Sequence, residues 1–315
     1  MKNYGILKYS NVGVDDFTSE TGIKIRRELN PVLRVVFKAA TKGNVIIENY
    51  PKLEKDWQYI FVSTHNFVED SIANLSVIDR NAYLLFGTTD QLKVNKEMYA
   101  AWANGFIYVD RQNNVSRKEA LLKMKRVLDS GTSVLIFAEG GFNNSENLLC
   151  LKLFASPYIL SKQTGIKVVP IAPFYEPGTN DIYINAGEPL DLTRFDDKKE
   201  ALTLLRDNLA TLLYENIFKY ASRIKRQELG DDPRLDYMES RRKEYLKTNW
   251  TKDVWDEELT QYLDDYDKEI LAINNDLSKL NLNINNSYLA KDVLKRVKEK
   301  KYDFKKYMHE NWNKD

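Results

Sequence analysis

The chain predicts an α/β fold: a central, mostly parallel or mixed sheet covered by helices, followed by an all-helical C-terminal extension. Three observations predict it. Short apolar runs alternate with helix-spaced patterns between about residues 44 and 186, the signature of a sheet with covering helices. After about residue 195 the strand-like runs stop and helical periodicity alone continues. At 315 residues the chain has material for one large core and a smaller appendage.

Taken in order, residues 1 to about 23 read as an irregular arm. Ile23 to Ala40 mixes apolar Ile25, Leu29, Leu33, Val36 and Phe37 with basic Lys24, Arg26, Arg27, Arg34 and Lys38. This is an amphipathic helix, with Pro31 as a candidate break. Docking onto the core and contact with a membrane surface are both open to it. Candidate strands follow at Val45–Glu48, Tyr59–Val62, Tyr83–Phe86, Phe106–Val109, Val134–Phe137, Val168–Ile171 and Ile182–Asn185. Helical patterns lie between them near 67–80, 90–103, 116–130 and 151–165. Asp129-Ser130-Gly131 and Thr164-Gly165 supply helix stops. Lys198 to Arg226 is a long helical pattern, and Pro233 marks a break.

Further helices are expected from 234 to 315, with an Asn-rich turn near 274–286. Trp255, Leu259, Tyr262, Tyr266 and Ile270 trace one apolar stripe; Leu289, Val293, Val297, Phe304 and Met308 trace another. The first of these segments is acidic and the second basic. An ion-paired helical hairpin accounts for that, and a basic membrane-surface helix is the alternative. The organisation is thus an arm with an amphipathic helix (1–41), an α/β domain (42–225) and a helical extension (226–315).

Composition excludes several classes. A net charge of +1 with 30% charged residues argues against wholesale nucleic-acid binding. The single cysteine, Cys150, cannot form an intramolecular disulfide, and no Cys/His cluster has metal-ligand spacing. The N-terminal residues lead into a polar, acidic stretch, so no secretory leader is expected, and no run approaches the ~20 apolar residues that span a bilayer. A cytoplasmic protein is expected, with peripheral contact on the inner face of the cell membrane as the alternative.

The chemistry-bearing segment is Ser63-Thr64-His65-Asn66-Phe67-Val68-Glu69-Asp70. Only two histidines occur in the chain, and His65 follows the apolar run Tyr59–Val62 with a carboxylate five positions on. Imidazole takes and returns a proton near neutral pH. A neighbouring carboxylate sets its tautomer and stabilises its charged form. That pairing suits proton abstraction from an alcohol. On an unbroken helix, residues five apart point about 140° away from each other, so the pair would meet poorly. A capping box solves this, with Asn66 as N-cap and Glu69 three residues later. His65 then sits in the turn before the helix, and Asp70 reaches back to it.

Three other segments end strands with polar chemistry. Gly105-Phe106-Ile107-Tyr108-Val109-Asp110-Arg111 delivers an arginine whose donor fork matches phosphate geometry, with Gly105 allowing close backbone approach. Val134-Leu135-Ile136-Phe137-Ala138-Glu139-Gly140-Gly141-Phe142 ends in an acid and two glycines whose N–H groups are open to a ligand. Glu139 is a candidate to bind a substrate hydroxyl or to hold Arg111. Lys167 to Pro173 is a strand carrying Pro170, which lacks a donor.

In this order, the four blocks resemble the glycerolipid acyltransferase family typified by 1-acylglycerol-3-phosphate acyltransferase. The resemblance covers about residues 42–190. His65 and Asp70 match that family's His-x4-Asp motif, with Thr64 where an Asn is usual; Gly105 and Arg111 match its second block. In the third, Phe137, Glu139 and Gly140 match, while Ala138 replaces Pro and Gly141-Phe142 replace Thr-Arg. Lys152 falls where a downstream lysine is common, and Val169-Pro170 match the fourth block. The resemblance implies transfer of a fatty acyl group from acyl-CoA or acyl carrier protein to a hydroxyl of a glycerolipid acceptor such as 1-acylglycerol-3-phosphate. It makes His65 the base and Asp70 its partner, and assigns Gly105, Arg111, Glu139, Gly140, Gly141 and Lys152 to substrate. It calls for no metal or bound cofactor. Phe142 stands where the family arginine helps hold the acceptor's phosphate, so a glycolipid or another lyso-lipid is an alternative acceptor. A thioesterase-like hydrolase and a non-catalytic lipid-binding protein are the remaining alternatives.

Overall fold

A computed structural model describes residues 18–67, 69–87, 103–109, 114–143, 148–176 and 179–221. Arg111, the 90–102 segment and everything after 221, including the expected helical extension, lie outside the described residues, as does most of the N-terminal arm. The described chain forms a seven-stranded mixed sheet flanked by helices. In order it runs α1 (Glu20–Ala40), β1 (Val45–Asn49), β2 (Ile60–Ser63), α2 (Asp70–Val77), β3 (Ala82–Phe86) and β4 (Phe106–Tyr108). It continues with α3 (Asn114–Asp129), β5 (Ser133–Ile136), α4 (Ser156–Thr164), β6 (Val168–Glu176), β7 (Asp181–Ala186) and α5 (Lys198–Tyr220).

The strand order is β1-β7-β6-β2-β5-β3-β4. Strands β2 to β6 are mutually parallel, β7 returns antiparallel to β6, and β1 lies parallel to β7. All seven expected strands form. The β2–β3 connection moves outward along the sheet, whereas β4–β5 moves back past β3 and β5–β6 back past β2. Right-handed crossovers then place α2 on one face and α3 and α4 on the other. Side chains alternate accordingly. Phe61, Leu135 and Val169 join Phe37 of α1 and Leu75 of α2 in one apolar cluster. Ile60, Val62, Val134 and Ile136 join Val127 and Leu128 of α3 and Leu205 of α5 in the other. β2 and β5, buried on both faces, read as continuous apolar runs for that reason.

Helix ends follow the expected stops. Gly131 and Gly165 take positive φ (80° and 72°), and the N–H of Gly165 reaches the Ser161 carbonyl at 2.8 Å. Three details differ from expectation. Pro31 does not break α1, which runs unbroken from Glu20 to Ala40. Pro31 and Arg27 are both exposed, so water can serve the Arg27 carbonyl that loses its partner. α4 begins at Ser156, not near 151, because residues 151–155 form a loop against the site. Pro170 lies inside β6, between β2 and β7, where the antiparallel ladder starts. There it accepts the Gly187 N–H at 2.9 Å and returns no donor.

Gly105 opens β4 with φ +104°, and a Cβ there would lie 2.6 Å from Cζ of Tyr83. The expected outcome for Gly105→Ala is a loss on the order of 3 kcal/mol, from strained backbone plus overpacking. Gly165→Ala, also at positive φ but with nothing within 4 Å of its Cβ, should cost about 1–2 kcal/mol. Urea midpoints of the two variants, at unchanged slope, check the difference.

Candidate functional site

Parallel strands direct their C-terminal ends to one edge of the sheet, where loops leading into helices collect polar groups. The ladder of β2 extends one residue past Ser63, through Thr64 N–H to the Ile171 carbonyl at 3.2 Å. The chain then turns at His65. Asp70, the first residue of α2, has no exposed surface, and its Oδ2 lies 2.8 Å from Nδ1 of His65. The same oxygen accepts the main-chain N–H groups of Asn66 (2.9 Å) and Phe67 (3.3 Å). A carboxylate oxygen only accepts, so Nδ1 carries the proton of this contact. An acid in the first turn is also favoured by the partial positive charge of the helix start.

The expected capping box does not form. Helix α2 starts at Asp70, and Glu69 precedes it without a side-chain cap. The Glu69 carboxylate instead accepts the Lys42 N–H at 3.3 Å and faces its ammonium at 3.5 Å. Asp70 collects the loop's N–H groups itself, which is the local reason that positions 65 and 70 meet.

A second loop, leaving β5, closes on His65 from the other side. Glu139 accepts the His65 N–H at 3.0 Å on Oε1 and the Leu151 N–H at 2.6 Å on Oε2. The N–H of Asn143 donates to the His65 carbonyl at 2.7 Å. Phe137 stacks on one side of the imidazole (centroids 4.2 Å apart, 30° between planes), and Phe142 stacks at 3.8 Å and 29°. Gly140, with φ 77°, makes the turn, donating its N–H to the Phe137 carbonyl at 3.0 Å. The imidazole side chain retains 19% exposure.

Glu139 is fully buried, and burial pushes its carboxyl up to about 8; the two N–H bonds and Arg206 act against that rise, while Asp70 adds to it. Asp70 and Glu139 are therefore buried carboxyls with separate tasks, one on the imidazole edge and one on the backbone.

The structure brings together four of the candidate residues, His65, Asp70, Glu139 and Gly140, with Gly141 buried in the same loop. Glu139 faces neither solvent nor an arginine fork: both oxygens are engaged by backbone. Lys152 is exposed on the adjoining 148–155 stretch. Gly105 lies elsewhere. Phe106 shares a sheet row with Phe61 through Leu84 and Leu135, so Gly105 lies at the level of Ile60, upstream of the His65 edge. Its backbone closely approaches the Tyr83 ring. Phe142, Asn143 and the Leu151 N–H are the contributors sequence reasoning missed. Phe142 drew notice only as a departure from arginine, and no local pattern marks a ring that stacks on a residue 77 positions away. Among the described residues, no three His, Cys, Asp or Glu side chains converge to hold a metal.

The described chain is an α/β protein with an acid-paired imidazole at the C-terminal edge of its parallel strands. Residues 44–173 match the family model described as Acyltransferase. The solved structure of the 1-acyl-sn-glycerophosphate (LPA) acyltransferase PlsC from Thermotoga maritima shares the fold, with TM-score 0.50 and 17% identity over 69% of this chain and 89% of that one. No match to a curated protein was found.

A carboxyl held at about 8 in the folded state, against an ordinary 4.5, keeps its proton where the unfolded chain has lost it. Its contribution to stability is full below about 4.5 and fades as pH rises through 8. Urea midpoints across that range should fall with pH, and Glu139→Gln should flatten the fall while lowering the acidic-side value. An unchanged slope in the variant would assign the fall to other groups.

Proposed function

We propose that the protein is an O-acyltransferase that moves a fatty acyl group from acyl-CoA or acyl carrier protein to a hydroxyl of a glycerolipid acceptor. The observation that carries this reading is the 2.8 Å contact between His65 Nδ1 and the buried Asp70 carboxylate, within the stretch that matches the Acyltransferase family model. Nε2 of His65 removes the acceptor's hydroxyl proton as that oxygen bonds to the thioester carbonyl carbon. The carbon–sulfur bond then breaks, and the departing thiolate takes the proton back from the imidazolium. Asp70 holds the ring's tautomer and balances its transient charge. Glu139 fixes the backbone of the loop carrying His65. Arg111 and Lys152 hold an anionic group of the acceptor. No step is assigned to a metal or bound cofactor.

A 1-acylglycerol-3-phosphate acceptor is the first candidate, by likeness to the family. Phe142, in place of a cationic fork, favours testing a neutral or glycosylated lyso-lipid beside it. His65→Ala should lower turnover by roughly 10²–10⁴-fold while the chain stays folded. Mass spectrometry of lipids incubated with an acyl thioester reads the product. Full activity in the variant would remove His65 from the reaction, and thiol release independent of acceptor would make the protein a hydrolase.

Helix α1 supports peripheral contact with a lipid surface. One side buries Ile23, Asn30 and Phe37, while Ile25, Leu29, Val32 and Val36 line an exposed side, with Lys24 and Lys38 also exposed. No helix among the described residues is long and apolar enough to cross a membrane. Co-sedimentation with anionic vesicles should weaken several-fold in Leu29→Glu/Val32→Glu. Parent protein that stays in the supernatant would end this part of the reading.

A further inference from the structure

We propose that Phe142 is a positioning residue for the acyl-transfer step: with Phe137 it clamps the imidazole of His65 between two phenyl rings, so that Nε2 meets the acceptor hydroxyl in one fixed plane. The inference rests on the reading of His65 as the base and goes beyond it.

The geometry leaves the imidazole few directions. Phe137 and Phe142 cover its two faces, with centroids 4.2 and 3.8 Å away and planes tilted by only 30° and 29°. Asp70 takes the Nδ1 edge at 2.8 Å. What remains is the edge bearing Nε2, and 19% of the side chain is still exposed. A proton acceptor must point its lone pair at the incoming hydroxyl, and one contact at Nδ1 still permits the ring to swing about that bond. Face-to-face contact on both sides removes the swing.

The clamp is itself held. Phe142 lies between two anchors of the same loop: Glu139, which accepts the His65 N–H, and Asn143, whose N–H reaches the His65 carbonyl. Phe142 is 7% exposed, so its ring is fixed by packing as well. An arginine at this position has a guanidinium to place in water or on a ligand; phenylalanine spends its side chain on the imidazole. Acceptor atoms flanking the reacting hydroxyl then run past phenyl edges, where a hydrocarbon neighbour loses nothing and a charged one loses hydration.

The test uses the full chain and three variants. Phe142→Ala removes the ring, Phe142→Leu keeps apolar bulk without a flat face, and Phe142→Tyr keeps the flat face. The expected result is a kcat lowered about 10–100-fold in Phe142→Ala and Phe142→Leu, the scale of a small misplacement of reacting groups. KM for the acyl thioester stays within about two-fold, and Phe142→Tyr restores most of the rate. A second reading is independent of turnover. The chain has two histidines, so the His65 Cε1–H resonance is identified as the one lost in His65→Ala. Released from two ring currents to one, it should shift in Phe142→Ala and Phe142→Leu and stay near its place in Phe142→Tyr. A leucine variant with parental kcat, or a His65 resonance unmoved by loss of the ring, overturns the inference. A His65→Ala protein that keeps its activity overturns the reading of His65 instead, so the two failures are distinguishable.

Discussion

His65 is held at its N–H, its carbonyl and Nδ1, and that constraint organises the site. Its N–H goes to Glu139, its carbonyl to the Asn143 N–H, and its Nδ1 to Asp70. Both ring faces meet phenyl groups. A residue in a turn after a short strand would ordinarily sample several rotamers, and ordering it costs conformational entropy. Here that ordering is done during folding, by groups that belong to the two adjacent strand ends, so none of it remains to be done when a substrate arrives.

The sheet topology makes this possible. β2 is central, with β5 on one side and β6 on the other, so the loop leaving β2 has the loop leaving β5 as its immediate neighbour. The direction of winding reverses around β2, which places the covering helices on opposite faces and leaves the strand ends open between them. Glu139 links this arrangement to a third piece of chain through Leu151. Because it is fully buried, its charge is disfavoured, and both its oxygens act on backbone N–H groups.

The replacement at position 142 ties specificity to geometry. In the proposed reading, a flat apolar ring gives the imidazole a rigid plane and leaves no cationic anchor at that position. In that reading, recognition of an anion on the acceptor falls to residues such as exposed Lys152, and acceptor preference and imidazole alignment are two consequences of one side chain.

Much of the fold was legible in the chain itself. The seven strands appear where apolar runs occur, because strands buried on both faces must be apolar throughout. The helix stops at Gly131 and Gly165 appear because glycine takes positive φ without strain. The His65–Asp70 contact was legible too, since their spacing suits a turn leading into a helix. The capping device was not: Glu69 and Asp70 are both acids near a helix start, and only the path of the loop decides which collects its N–H groups. Nor was the engagement of Glu139, of Gly105 beneath Tyr83, or of Phe142 on His65. Local sequence determines what each residue is able to do, through its backbone freedom and chemistry. Tertiary structure decided which neighbour it does it to, because contacts across 74 or 77 positions depend on strand order and register, which no local pattern encodes.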